Sequence, residues 1–351
     1  MPNRPTGLKS AAPWFAPWFA PWFAPWFAAW FAASLGVGTH ALAASQPAHA
    51  ADEYQTWRVA AASALAARAD ADSLATAAAL RFAGSPPAAK GTAPKSQISA
   101  LDLAVRASEL APQNPSIDWL HLQLCSGTPG CDIRDAATAM RWVDAENGAA
   151  WMQTLAVAQK ERDSTGVDRI IAEMAQGVRF DLYWNRVIVL MVDALHAARR
   201  ELPGGFAASD SSRLTTVSAV ASAEMIPPFA PLMEACRESA AAPERRELCI
   251  KLSKTMQHGD TIAAQLAGLS IERHLRAPDS KEARAIAERR HVLEWRQAAA
   301  AQFDGGLLPW MKNARARARL AHMRAMAREE DVCIAILREH KMALDPPEVH
   351  P

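Results

Sequence analysis

The chain has 351 residues, half of them apolar, and its 38 Lys and Arg against 37 Asp and Glu leave a formal net charge of +1. That length and apolar content can bury a substantial core in one large or two medium domains, which excludes a generically disordered chain. The even charge balance argues against the extended positive footprint that nucleic acid demands. Abundant alanine, few β-branched residues and only 2 tyrosines point to an all-α fold, essentially without sheet.

Arg4 and Lys9 precede an apolar run over 11–38, and two small-x-small triplets follow it, Ala41-Leu42-Ala43 and Ala48-His49-Ala50. This is the pattern of a secretory signal peptide, expected over 1–50, with the mature chain starting near Ala51 in the bacterial periplasm or outside the cell. Within the run, Pro-Trp-Phe-Ala occurs four times in succession over 13–28. A proline every fourth residue removes backbone donors and interrupts a helix, so a membrane-spanning helix is a poor reading. The alternative is an uncleaved anchor whose tryptophan stripe rests in the membrane interface.

Residues 52–82 read as one or two Ala-rich helices carrying Trp57, Leu65, Leu74 and Leu80, and a Pro/Gly/Ser/Lys stretch over 83–96 reads as a linker. Helical spacing resumes with Ile98, Leu101, Val105 and Leu110. Trp119, Trp151 and Trp184 then recur at intervals in the low thirties. Each follows a polar turn: Pro112-Gln113-Asn114-Pro115, then Asp144-Ala145-Glu146-Asn147-Gly148, then Arg179-Phe180-Asp181. Such a period belongs to helix-turn-helix units that stack on one another, and a tryptophan opening each unit is expected in the core between helices.

Leu110-Ala111-Pro112-Gln113-Asn114 ahead of Trp119, and Val143-Asp144-Ala145-Glu146-Asn147 ahead of Trp151, resemble the boundary of the tetratricopeptide repeat. The resemblance covers roughly residues 98–200. It departs from the family's pattern where Gln123 or Leu155 replaces the small residue one turn after the aromatic. What it implies is a divergent array of helical hairpins over 98–205; it says nothing about a ligand. Pro203-Gly204-Gly205 ends the array at a soft boundary near 204–210. A second helical block is expected over 206–351, with a break at Gly305-Gly306 and one long, initially basic helix over 308–342.

The cysteines are the most informative side chains. In an exported chain, Cys125 with Cys131 and Cys236 with Cys249 each flank a short helical turn and are expected to form disulfides, with Cys333 remaining on the last helix. Cys-x-x-Cys is absent, so a redox or zinc-knuckle site has no support. His322, Met323, Met326, Cys333, His340 and Met342 form the nearest approach to a copper-type grouping, and helical spacing reads them as packing. Neither a hydrolase elbow nor a phosphate-cradling loop occurs, and Glu329-Glu330-Asp331 reads as a solvated face. No catalytic, cofactor-binding or metal residue is nominated.

The basic run Lys312, Arg315, Arg317, Arg319, Arg324 and Arg328 divides over two helix faces. Lys312, Arg315 and Arg319 share one, where weak contact with anionic membrane head groups is the functional reading and a solvated, acid-paired helix the plain one. The function expected from this set is an exported helical-repeat protein that binds a protein or peptide, or acts as a scaffold, in the cell envelope. The alternative is an envelope enzyme acting on cell wall or glycan through two carboxylates that sequence does not place.

Overall fold

The computed structural model describes residues 46–83, 98–238, 243–303 and 309–347. The Pro-Trp-Phe-Ala leader, nearly all of the linker and the Gly305-Gly306 break lie outside the described residues. Within them the fold is all-α, and the β pairing is one isolated bridge between Asn147 and Arg179.

The N-terminal Ala-rich stretch forms two helices, α1 (Gln46–Arg68) and α2 (Ala71–Phe82). They part at Ala69, whose φ is +57°, and at Asp70, whose carboxylate accepts the backbone N–H of Ser73 and so starts α2. After the linker, Ser99 and Asp102 close a reciprocal cap at the start of α3 (Ala100–Leu110). Asn114 caps α4 (Pro115–Ser126), which has proline in its first turn where no N–H is needed. Asp132 caps α5 (Ile133–Val143). A 3-10 turn at Gly148–Trp151 leads into α6 (Met152–Lys160), and Asp163 caps α7 (Ser164–Gln176). Next comes α8 (Trp184–Ala197).

The remainder comprises α9 (Asp210–Glu224), α10 (Ala230–Glu238), α11 (Pro243–Met256), α12 (Ile262–His274) and α13 (Lys281–Gln302), then α14 (Pro309–Ala325) and α15 (Glu329–Glu339). The last pair corrects the expectation of one helix over 308–342. Asn185 takes the carbonyls of Met326 and Ala327 with its side-chain amide, which draws them out of a helical ladder. Glu329, Glu330 and Asp331 then stand in the first turn of a new helix, where the macrodipole favours acids.

A hydrophobic cluster runs from Trp57 to Ile336 and draws on helices from both halves of the chain. Helix α2 packs on α3 and α8, α4 on α5, α6 on α7, α7 on α11, α8 on α9, and α9 on α14. Two disulfides staple neighbours, as their spacing predicts. Cys125–Cys131, with a Cα separation of 5.4 Å, joins the end of α4 to the approach to α5; Cys236–Cys249, at 5.6 Å, joins α10 to α11. Cys333 lies buried on α15.

Candidate functional site

The densest polar constellation forms where three loops meet. The turn between α5 and α6 lies against the loop between α7 and α8: the N–H of Gly148 donates to the carbonyl of Arg179 at 2.9 Å, and that of Val178 to Glu146 at 3.0 Å. Backbones this close leave no room for a side chain, and a Cβ on Gly177 would stand 2.8 Å from the Gly148 nitrogen. The Asn147 amide reads both sides of Asp181, donating to its carbonyl at 2.9 Å and accepting its N–H at 3.0 Å. The Tyr183 hydroxyl and the Arg179 guanidinium both donate to Asp144. Tyr183 adopts a φ of +57° and sets its ring 6.2 Å from that of Trp119, whose indole N–H donates to the carbonyl of Met225.

The third loop, between α11 and α12, supplies Asp260. One carboxyl oxygen accepts the N–H of Leu182 at 2.7 Å and the other that of Trp184 at 3.1 Å. A residue remote in sequence thereby caps α8, whose own preceding residue Tyr183 makes no side-chain cap. Glu329 completes the clasp: its N–H donates to the Asp260 carbonyl at 2.7 Å and its carboxyl accepts the N–H of Ile262 at 2.8 Å.

Burial sets the protonation of these groups. It pushes the Asp260 carboxyl up to about 8, with the carboxyls of Asp181 and Glu329 adding to the shift against the two N–H donors. Burial also raises Glu329, against its N–H donor and the nearby Arg319, and raises Asp181 and Tyr183. Both oxygens of Asp260 are engaged by backbone, so this constellation holds loops together and presents no carboxylate pair to a substrate. Glu330 corrects the solvated-face expectation: it is buried among Arg289, Arg296 and Arg328. Burial works against its charge, but the guanidiniums prevail and hold its carboxyl below the usual range.

The three repeat tryptophans take different environments. Trp119 is fully buried, whereas Trp151 and Trp184 are half-buried, and the Arg141 guanidinium lies 4.1 Å over the Trp151 ring. The residue that motif reading passes over is Trp142, near the end of α5 and 91% exposed. Helical geometry carries the missed signal. Ala136, Ala137 and Met140 form the buried stripe of α5, and a residue two past Met140 is turned by roughly 200° away from it. On the adjoining loop Val178 is 71% exposed, and its bond to Glu146 keeps the two turns side by side.

The basic residues of α14 and of the turn after it are drawn apart. Arg317 pairs with Asp210, Arg324 with Asp193 and Arg328 with Glu330. Arg315 donates to the Phe303 carbonyl and Arg319 faces Glu329, while Lys312 is exposed. His322 meets Glu339 at 3.2 Å and His340 stacks on Phe303. Among the described residues no group of three or more His, Cys, Asp or Glu is placed to hold a metal ion.

Two open hollows mark the surface. One of about 580 Å³ is lined by Asp52, Glu53, Thr56, Trp57, Pro203 and Gly204; its two carboxylates are sequence neighbours on one helix and do not face each other. The other, about 360 Å³, is bordered by serines and threonines of the α9 start and by Lys312. Among the described residues no helix is long and apolar enough to cross a membrane. No protein-family model, curated protein or solved structure matches this chain.

Proposed function

We propose that this is an exported, tetratricopeptide-like helical-repeat protein that binds a protein or peptide partner in the cell envelope, with the turns after α5 and α7 as its contact edge. The observation that carries the reading is two apolar side chains turned to solvent, Trp142 in the last turn of α5 and Val178 on the loop after α7, in segments that the bond from Val178 to Glu146 ties together. An exposed tryptophan, with a second exposed apolar side chain on a neighbouring segment, is the kind of anchor around which binding energy concentrates. The leader pattern and the two disulfides support an oxidising compartment outside the cytoplasm. The tryptophan interval, with a helix starting soon after each of the three turns, supports the repeat.

Capture from envelope extract with wild-type protein and with Trp142→Ala tests the reading, provided the two melt at the same temperature. A partner recovered with the wild type and lost with the variant is the expected result. Equal recovery by both would remove Trp142 from any contact and leave the edge without its anchor.

A further inference from the structure

We infer that the hollow between the start of α9 and the start of α14 is a binding site for an acidic sugar, a small polyhydroxylated ring that carries a carboxylate. It is built from other elements than the edge around Trp142 and stands independently of the partner-binding reading. Its two walls are clamped to each other: the Ser211 N–H donates to the Asn313 side-chain oxygen at 3.0 Å, and Arg317 meets Asp210 at 3.2 Å. The space they border is about 360 Å³, inside the range of about 300–1,000 Å³ that small-ligand sites occupy. Phe206 supplies an apolar part of the lining, and its ring is held by Tyr54, edge-on at 5.1 Å, and by Trp57 at 5.7 Å.

The walls differ in chemistry, and the difference selects the ligand. On α14 the Asn313 oxygen is taken by Ser211, so that side chain has only its amide N–H groups to offer, and the Lys312 ammonium beside it has nothing but donors. This wall therefore presents donors and one positive charge. On α9, Ser211 and Thr215 stand one turn apart on one face, and each hydroxyl can both donate and accept. Among the described residues no hydrogen bond or ion pair engages either hydroxyl, the Asn313 amide nitrogen or the Lys312 ammonium. Lys312 is the exception among the Lys and Arg of α14, since Arg315, Arg317, Arg319 and Arg324 all have partners in the fold. An acceptor-only carboxylate suits the donor wall, ring hydroxyls suit the serine and threonine, and the C–H groups of a sugar suit the Phe206 ring. A single carboxylate charge also matches the one open ammonium. A phosphate group, at about −1.5 to −2, does not, because the Arg213 and Arg317 guanidiniums nearby are occupied by Asp210.

Calorimetric titration of the full-length chain with D-glucuronate, beside D-glucose and inorganic phosphate, tests the assignment. Saturable binding of glucuronate is expected, with glucose weaker by roughly tenfold for want of one charge-assisted hydrogen bond. Lys312→Met is expected to weaken glucuronate by a similar factor and Thr215→Val to weaken it several-fold. Both positions are exposed, so the two variants should melt with the wild type. Absence of saturable glucuronate binding overturns the site, and so does binding that is unchanged in either variant. Glucose bound as tightly as glucuronate overturns the role of the carboxylate; phosphate bound as tightly reduces the hollow to a general anion site and overturns the sugar. Adsorption to phosphatidylglycerol vesicles that Lys312→Met abolishes, without any response to glucuronate, overturns the assignment in favour of head-group contact.

Discussion

Single residues of one chemical type carry different weights here, and tryptophan shows it best. Trp119 is fully buried, touches Tyr183 and satisfies the Met225 carbonyl through its indole N–H. Trp119→Ala is expected to cost about 3–5 kcal/mol, since it opens a large cavity and leaves a buried acceptor unpaired. Trp142→Ala, at a site 91% exposed, is expected to change stability by no more than about 0.5 kcal/mol. Trp151→Ala should fall between them, because its half-buried ring is covered by Arg141 and part of its contact is already with solvent. Urea unfolding of the three variants checks the ranking, and a Trp142→Ala midpoint as low as that of Trp119→Ala would contradict it.

At the scale of elements, the helices are positioned by clasps between their loops as much as by their apolar faces. Asp260 caps α8 from the loop before α12, and Gly259 beside it permits that approach: a Cβ there would stand 2.7 Å from the Phe180 carbonyl. The clasp makes stability depend on pH. In an unfolded chain an Asp titrates near 3.9, whereas Asp260 in the fold is raised to about 8. The fold therefore holds this proton more tightly. The stability tied to it is complete below about pH 4 and drains away as pH rises through about 8. Asp118, which burial raises to about 6, acts in the same direction over a lower range. Glu330 and Asp210, held below their usual values by arginines, contribute stability that is lost only as pH falls below about 4.5. Denaturant unfolding is accordingly expected to show a maximum near about pH 5 and a decline towards pH 9. Asp260→Asn should be less stable overall but flatter across that range. An equally steep decline in the variant would take Asp260 out of the account.

The described helices are held by one large hydrophobic cluster that joins helices far apart in sequence, beside a small second one of Leu269, Ile286 and Leu293, with two short covalent staples reaching into the first. Each staple closes a short loop, so each contributes about 2–3 kcal/mol at most on the chain-entropy account. Loss of either should lower the unfolding midpoint without abolishing the fold. Alkylation in denaturant is expected to spare Cys125, Cys131, Cys236 and Cys249 until a reductant is added, as read by peptide mass. Modification of any of these four before reduction would count against the bridges.

The sequence by itself determined the helices, because their signals are local. Asp70, Ser99, Asn114, Asp132 and Asp163 each stand where a side chain can take an N–H a few residues on, and each caps a helix. The polar turns before Trp119 and Trp151 mark real breaks for the same reason, through Asn114 and Asn147, whereas the helix that Trp184 opens has no local cap. The two disulfides were also legible, since six and thirteen residues of separation across a turn constrain where the thiols can meet. Tertiary structure alone decided what depends on partners distant in sequence. The break between α14 and α15 exists because Asn185 takes the carbonyls of Met326 and Ala327, and the carbonyl of Asp260 takes the N–H of Glu329, all groups that a continuous helix would use. Glu330 is a buried ion-pair hub because two arginines of α13 and one from the preceding turn converge on it. Asp260 caps a helix that begins far upstream, a pairing that no local pattern encodes, because backbone donors left open by one loop are filled by whichever side chain the packing brings alongside.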